Sequence, residues 1–476
     1  MTEPINTSRR EFLRKASMLS VAGTIGAPFA LNLFAINVAA ASTYNAVGDY
    51  KALVCLYLAG GNDSANMVIA TDTPSWAGYQ AARGGSIAFA EAALLPTAII
   101  PTTTKVDAVG TRSFALHPGM GPLKVLFDAG RAAIVANVGT LIEPIADKVA
   151  YNNSAIRKPP SLFSHSDQTG QWLSADPAKP IYGWGGRMED RLKASNTRQN
   201  FSSISLTGNS VFLAGETVNQ YQVDSNGSAV AIGGMSNLFG SNTTLLRDII
   251  TTPTSSNVFE MDHAAVVQRA IVAQADLNSV MQATASTVTA PTNYNPLATQ
   301  LQTVARIIAG QTALGAHRQV FFVAVSGFDT HNGQLAAHAE LMTRLADAIS
   351  YFDGVLSTLQ VDGVKTDMRS KVTLFTASDF GRTFASNGSG TDHGWGGHHL
   401  VVGGAVKGKE IYGEFPQTTV SAGNPRDIGS GTLIPNLSVD QYAATLAKWF
   451  GLSPAEITEV FPNLANFPTQ DLGFMA

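Results

Sequence analysis

The stretch KALVCLYLAGGNDS, residues 51–64, decides the fold class. Residues 51–59 are almost all apolar and rich in β-forming types, and Gly60 and Gly61 end the run, which predicts a buried strand. A strand that is apolar on both faces belongs inside a covered sheet. Similar runs predict further buried strands at residues 132–138, 320–325, 372–376 and 400–402.

Segments with apolar residues at helical spacing lie between or after these runs. Buried strands that alternate with helices predict an α/β fold, a three-layer α/β/α sandwich whose central sheet is mostly parallel. Ligands in such folds bind outside the carboxyl ends of the strands. The segment 195–256 is rich in Ser, Asn, Thr and Gly and predicts an insertion or cap with a small β element, or equally a set of surface loops. The predicted helices cover residues 261–284, 298–314, 335–359 and 439–450.

Composition narrows the class of protein. The chain has 476 residues, of which 45% are hydrophobic and 14% charged, so it is globular rather than disordered. The formal net charge of −4 lacks the basic surplus of a nucleic-acid-binding protein, so we expect no nucleic acid as a partner. The single cysteine, Cys55, cannot form an intrachain disulfide and is expected to be a small buried apolar residue.

Residues 1–41 have the pattern of an export signal, with a basic stretch, a long apolar stretch and three alanines at the end. The paired Arg9 and Arg10 resemble a twin-arginine signal. We therefore expect the twin-arginine export machinery as a partner, a mature domain over residues 42–476, and a periplasmic or extracellular location with no stable membrane span after cleavage. An uncleaved membrane anchor is the alternative.

Polar side chains follow three of the predicted strands. Asp63 comes after the first, and Asp329 and His331, two residues apart on an extended segment, can share one ion. Asp379 follows another strand, and Arg382 comes three residues later, where it could clamp an anionic group. Each has a structural alternative. Asp63 could belong to an ordinary turn, Asp329 could cap the next helix with His331 in its first turn, and Asp379 could form a structural ion pair with Arg382.

The loop at residues 390–399 holds the densest group of such side chains, Asp392, His393, His398 and His399, separated by glycines. Imidazoles and carboxylates are ligands of divalent metals, so we expect an ion here, either Zn, Ca, Mg or Mn. His398 and His399 are adjacent and point to opposite faces of a strand, so only one is expected to reach the ion, and which one stays open. A glycine-rich surface loop is the alternative.

Two segments further upstream add His117, and His165 with Asp167. Each of the two histidines is a ligand, a residue that positions a ligand, or a structural histidine. The remaining histidines, which we assign to structure or leave out of the site, are His263, His317 and His338.

The motif series of the chain resembles that of the domain of unknown function 1501 family, from about residue 51 to the C-terminus. Members are often exported by the twin-arginine route, and the family is similar to the alkaline phosphatase and sulfatase superfamily of metal-dependent hydrolases. The motifs, in chain order, are GGNDSAN (60–66), LHPGMGPLK (116–124), SHSDQTGQW (164–172), GWGGR (183–187), FDTHNGQ (328–334), SDFGRT (378–383), TDHGWGGHHLVVGGAVKG (391–408) and IYGEFP (411–416).

The resemblance implies an alkaline-phosphatase-like fold, a central sheet between helical layers with one or two divalent ions at its edge. The chain departs from the superfamily in two ways. Phe380 follows Asp379 where a histidine is expected, and no nucleophile motif is present, with Ser64 and Ser113 the available hydroxyls. The residues that match the superfamily's ligands by position are Asp63, Asp329, His331, Asp379 and one of His393, His398 and His399.

The function expected from these features is that of an exported metal-dependent hydrolase of phosphate or sulfate esters, acting on a small anionic ester or a polymer. Ser64 or a bound water would attack, and Arg382 or Arg187 would hold the anion. A non-catalytic envelope protein that keeps the scaffold for binding or assembly is the alternative. A metal-dependent redox site is compatible with the same ligand types.

Overall fold

The computed structural model describes residues 49–476, apart from residues 179, 226, 229–244 and 421–422. The predicted export signal at residues 1–41 lies outside the described residues. Within the described part of the chain, no helix is both long enough and apolar enough to cross a membrane.

The strands are β1 (Lys51–Ala59), β2 (Val68–Ala70), β3 (Ala98–Ile99), β4 (Val106–Asp107), β5 (Gly110–Thr111), β6 (Phe114–Leu116), β7 (Ala132–Gly139), β8 (Ser203–Ser205), β9 (Tyr221–Gln222), β10 (Arg318–Ser326), β11 (Leu359–Val361), β12 (Val364–Thr366), β13 (Val372–Ser378), β14 (Gly397–Val402), β15 (Glu410–Tyr412) and β16 (Leu437–Ser438).

The central sheet has nine strands among the described residues, in the order β15-β7-β14-β13-β1-β10-β8-β9, with β16 also paired to β7. Its pairs are parallel, except that β14 runs antiparallel to both β13 and β7. The mixed α/β architecture with a large, mostly parallel central sheet is thus confirmed.

The strand β1 shows why its sequence is apolar throughout. Val54 and Leu56 pack into the core on one face of the sheet, whereas Leu53 and Cys55 pack into the core on the other, and all four are fully buried. Because each fully buried aliphatic side chain contributes about 1.5–3 kcal/mol, a strand covered on both faces needs apolar residues at every position.

Helices cover the sheet, and the four predicted ones are present, three with shifted ends and the fourth, at residues 439–450, with the predicted ends. The helix at residues 439–450 begins with a capping box between Ser438 and Gln441, which satisfies main-chain groups at its first turn. The helices are α1 (Ser64–Met67), α2 (Thr73–Arg83), α3 (Glu91–Leu94), α4 (Gly121–Asp128), α5 (Lys148–Asn152), α6 (His165–Ser174), α7 (Trp184–Leu192), α8 (Leu245–Thr251), α9 (Val258–Ala283), α10 (Pro296–Ala309), α11 (Gln334–Leu356), α12 (Val439–Phe450) and α13 (Pro454–Val460).

The segment expected to form an insertion or cap, residues 195–256, is in part continuous with the central sheet. Its strand β8 pairs in parallel with β10, and β9 pairs in parallel with β8, so both extend the edge of the sheet. Ser203 and Ser205 are polar but fully buried, so their composition concealed a sheet strand.

The antiparallel direction of β14 positions the site. The carboxyl ends of β1, β10 and β13 lie at one edge of the sheet, and the amino end of β14 lies at that same edge. The loop that precedes β14, residues 390–396, therefore joins the loops that follow β10 and β13. In this way four separate parts of the chain can contribute side chains to one place.

Candidate metal centre

Four side chains meet at the carboxyl edge of the sheet: His165, Asp329, His331 and His393, referred to below as the His–Asp cluster. The Oδ1 atom of Asp329 is 3.0 Å from His331 Nε2 and 3.4 Å from His393 Nε2. Its Oδ2 atom is 3.5 Å from His165 Nε2. The two imidazoles His331 and His393 approach each other to 3.0 Å between their Nε2 atoms.

His165 begins helix α6 and is held from behind by a carboxylate. Its Nδ1 lies 2.6 Å from Asp379 Oδ2. Since an ionised carboxylate only accepts hydrogen bonds, the proton of His165 is on Nδ1 and the lone pair is on Nε2. That Nε2 atom is buried and has no hydrogen-bond partner. The imidazole therefore presents an unsatisfied acceptor to Asp329.

The other two imidazoles are held in the same way. His393 Nδ1 lies 2.8 Å from the carbonyl oxygen of Phe163, and His331 Nδ1 lies 3.1 Å from Asp392 Oδ1. Both partners are acceptors, so Nδ1 donates in each case and Nε2 faces the cluster. An oxygen partner on the far nitrogen is the arrangement that usually orients metal-binding histidines.

These groups fit a divalent ion. The converging imidazole lone pairs repel one another and the carboxylate, whose charge Arg382 offsets only in part, and a metal removes that repulsion. Ligand atoms of a tetrahedral zinc site are about 3.3 Å apart, given Zn–N bonds of about 2.0–2.1 Å. The ligand atoms of His165, Asp329 and His393 all lie within 4.8 Å of one another. His331 adjoins this triad at a fourth position.

Arg382 is fully buried and holds Asp329 in place. Its guanidinium donates to Asp329 Oδ1 at 2.5 Å, to the carbonyl of Gly60 at 3.2 Å and to the carbonyl of Thr391. Partial burial raises the pKa of Asp329, but the hydrogen bond and charge of Arg382 outweigh it, and the net pKa is below the ordinary value. Arg382 thus keeps Asp329 anionic, in place of the expected clamp on a substrate anion.

Arg187 is likewise engaged by the protein. Its guanidinium donates to the carbonyl oxygens of Tyr182, Ser174 and Val460. These contacts tie helix α7 to its neighbours. The structure therefore places neither predicted anion-binding arginine with a free guanidinium at the cluster.

Asp63, expected among the ligands, lies outside the cluster in a buried ion pair. Arg83 donates to both of its carboxylate oxygens, at 2.5 and 2.9 Å, and Gln334 donates to one of them. Burial raises the pKa of Asp63, but Arg83, with smaller contributions from His338 and Arg382, outweighs it, so the net pKa is below the ordinary value. Arg83 ends helix α2, twenty residues along the chain, so no local spacing pointed to the pair.

Asp379 and Asp392 stand behind the cluster rather than in it, since each accepts from a histidine Nδ1. The pKa of Asp392 is lowered mainly by the hydrogen bond from Asn387; burial opposes this, and His331 and Arg382 lower the pKa further. Both were expected as direct ligands. Their positions are those of carboxylates that orient ligands.

His398 and His399 do point to opposite faces of β14, but neither faces the cluster. His398 Nδ1 accepts from the main-chain N–H of Asn137, and its ring stacks on Phe415 at 4.4 Å. His399 packs against Trp172 at 4.7 Å between ring centroids. Burial lowers the pKa of each imidazole to about 3, so both stay neutral.

Ser64, the candidate nucleophile, lines a cavity with Asn137 and His398. The residues that line this cavity do not include Asp329 or the three imidazoles of the His–Asp cluster. Ser64 thus lines this cavity together with Arg382 rather than with the candidate metal ligands.

His117 and Asp167 also lie apart from the cluster. His117 accepts from the N–H of Gly119, and burial followed by the charge of His338 lowers its pKa to about 3. Asp167 is in the exposed first turn of α6 and accepts a hydrogen bond from Ser164. Both are structural in this arrangement.

Sequence reasoning missed the contribution of Tyr57, whose hydroxyl donates to Asp379 Oδ1 at 2.7 Å. It also treated His165 as one of several equal candidates. The signal that could have helped is the position of Tyr57 near the carboxyl end of β1, where an apolar strand carries a hydroxyl toward the ligand-binding edge.

Comparison with known protein families gives a match over most of the chain. A family model described as protein of unknown function (DUF1501) matches residues 50–461, a span that contains the whole His–Asp cluster and the residues behind it. No curated protein matches the chain.

Proposed function

The chain belongs to the DUF1501 family, and from that premise we propose that it is an exported metal-dependent hydrolase of phosphate or sulfate esters. The observation that carries the proposal is the convergence of three imidazole Nε2 atoms on one carboxylate. The twin-arginine pattern of residues 1–41 supports export to the periplasm or beyond. The helix-covered sheet with the cluster at its carboxyl edge supports an alkaline-phosphatase-like arrangement.

The types of ligand atom limit which metal ion the cluster would bind. His165, His331 and His393 supply nitrogen, whereas Ca and Mg prefer sites built of oxygen ligands. Three imidazoles and one carboxylate suit Zn, with Mn or another transition ion next. We therefore propose zinc as the ion among the four expected.

The reaction needs solvent access, and Asp329 has 45% of its side chain exposed. An ion held by the cluster would lower the pKa of a coordinated water to about 7 and polarise an ester oxygen. Asp379, Asp392 and the Phe163 carbonyl fix the orientation of the three imidazoles, and Arg382 fixes Asp329. The chain thus supplies rigid ligands on an open rim.

The net charge of the site bears on which class of ester it attracts. The carboxylates of Asp329, Asp379 and Asp392 offset Arg382 and a divalent ion, so a dianion gains little attraction. We therefore expect monoanionic aryl sulfates or phosphodiesters to be hydrolysed with a kcat/KM at least equal to that of a dianionic phosphate monoester. Turnover of the nitrophenyl forms of all three by the zinc-loaded protein measures this. A preference for the monoester would contradict it.

Water rather than Ser64 is the proposed nucleophile. Ser64→Ala is expected to leave kcat/KM within about twofold, since loss of a true nucleophile costs several orders of magnitude. Steady-state kinetics on the best ester, with Ser113→Ala as the matched hydroxyl control, measures the effect. A loss of a hundredfold or more in Ser64→Ala alone would assign the attack to Ser64.

A non-catalytic envelope binding or assembly protein is the second candidate. It is favoured by the engagement of Arg382 and Arg187 with protein acceptors. The two candidates separate on one experiment: stoichiometric metal that raises the thermal stability, with no turnover on phosphate monoesters, phosphate diesters or sulfate esters, supports the binding protein. Metal-dependent turnover supports the hydrolase.

A further inference from the structure

A series of hydrogen bonds connects the interior of the sheet to the His–Asp cluster. Tyr57 Oη donates to Asp379 Oδ1 at 2.7 Å, and His165 Nδ1 donates to Asp379 Oδ2 at 2.6 Å. The N–H of Gly60 also donates to Oδ1, at 3.1 Å. Both oxygens of Asp379 are thus occupied by donors.

The donor and the acceptor of each of these hydrogen bonds can be assigned. Burial first, and the charge of Asp379 second, raise the pKa of Tyr57 well above its ordinary value, so the phenol keeps its proton and donates. Asp379 then accepts from His165 Nδ1, which leaves the Nε2 lone pair toward Asp329. The Tyr57 hydroxyl thereby helps to select the tautomer of His165 that can bind a metal.

Tyr57 also ties the helix that carries His165 to the sheet. Its Oη lies 2.7 Å from Thr169 Oγ1, and since Oη donates to Asp379 it accepts from Thr169. Thr169 and His165 are four residues apart in α6 and lie on one face of that helix. Both the carboxylate and the helix that position His165 are therefore anchored on one phenol in β1.

We infer that Tyr57 is a positioning residue for His165, acting through Asp379 and Thr169 to hold the imidazole ready for a divalent metal. This inference rests on the proposed metal site and deepens it. Outer partners of metal-binding histidines change metal affinity by about 10–100-fold when they are removed. A phenol behind the carboxylate is expected to have an effect near the lower end of that range.

The test is zinc affinity, measured by competition with a chromophoric chelator on the full mature chain. Tyr57→Phe removes only the hydroxyl and is expected to weaken zinc binding by about tenfold. Asp379→Asn is expected to weaken it further, and the double variant to lose less than the sum of the two single losses, because Tyr57 acts in part through Asp379. The visible spectrum of bound Co²⁺ should shift in Tyr57→Phe.

Tyr442→Phe is the matched control. Tyr442 is buried in the same apolar cluster as Tyr57, and its hydroxyl donates to main-chain carbonyls rather than toward His165. Equal zinc affinity in Tyr57→Phe and Tyr442→Phe, with wild-type zinc binding intact, would overturn the inference and leave the proposed function standing. A wild-type chain that binds neither zinc nor cobalt would overturn both.

Discussion

Asp329→Asn is expected to abolish metal-dependent turnover and to lower the zinc affinity by more than about 100-fold. Asp329 is the contact that all three imidazoles of the His–Asp cluster share, at 3.0, 3.4 and 3.5 Å. Asparagine keeps the shape of the side chain but removes the charge. It leaves three imidazoles and the buried guanidinium of Arg382 without their common anion. Metal content after dialysis and ester turnover measure the two effects.

Asp167→Asn is the matched control for this variant. Asp167 lies two residues from His165 but takes no part in the cluster, and its partner is Ser164. Its zinc content and turnover are expected to equal those of the wild type. Normal zinc content in Asp329→Asn, with a folded chain, would show that the carboxylate at the centre of the cluster is not a ligand.

Arg83→Met is expected to destabilise the fold by about 3–5 kcal/mol, the usual cost of leaving one member of a buried ion pair unpaired. The Arg83 and Asp63 side chains are both fully buried, and the pair is bidentate. Zinc affinity is expected to stay at the wild-type value, because Asp63 lies outside the cluster. Urea unfolding at neutral pH measures the loss of stability.

The same pair predicts how stability depends on pH. Burial raises the pKa of Asp63, and Arg83, aided by His338 and Arg382, lowers it by more, so the folded-state pKa is below the unfolded one. The stabilisation is therefore present above the unfolded pKa of about 4 and is lost as the pH falls through the folded pKa. Arg83→Met should lose this part of the acid sensitivity.

Arg157→Met provides the comparison for a surface ion pair. Arg157 contacts Glu143 at 3.2 Å, and its side chain is 58% exposed. Removal of an exposed pair is expected to cost less than about 1 kcal/mol. An effect of Arg83→Met as small as that of Arg157→Met, or a loss of zinc on mutation of Arg83, would contradict the structural role of Asp63.

The main strands of the sheet were predictable from the sequence because a strand buried on both faces is apolar at nearly every position. The continuous apolar runs at residues 51–59 and 132–138 indicate strands of this kind. The short strand Ser203–Ser205 carries no such mark, since its neighbours rather than its side chains place it in the sheet. The direction of a strand cannot be deduced from its own residues, so the antiparallel direction of β14 was not predictable from the sequence.

The site was predictable as a collection of residue types but not as a set of contacts. Asp329 and His331 lie at the carboxyl edge as their strand end suggested, and His393 joins them because the antiparallel β14 begins at that edge. Asp63 differs because its oxygens are held by Arg83, a partner that ends another element. His165 finds Asp379 across 214 residues of chain, and no spacing rule covers that distance. Periodicity describes neighbours along the chain, whereas ligand sets depend on tertiary pairing.

X-ray absorption spectroscopy of the zinc-loaded mature protein tests the central claim most directly. The account predicts one zinc per chain with nitrogen and oxygen neighbours at about 2.0–2.1 Å, an imidazole signature, and its loss in Asp329→Asn. A protein that takes up no zinc would contradict the account. So would a zinc whose surroundings are unchanged by Asp329→Asn.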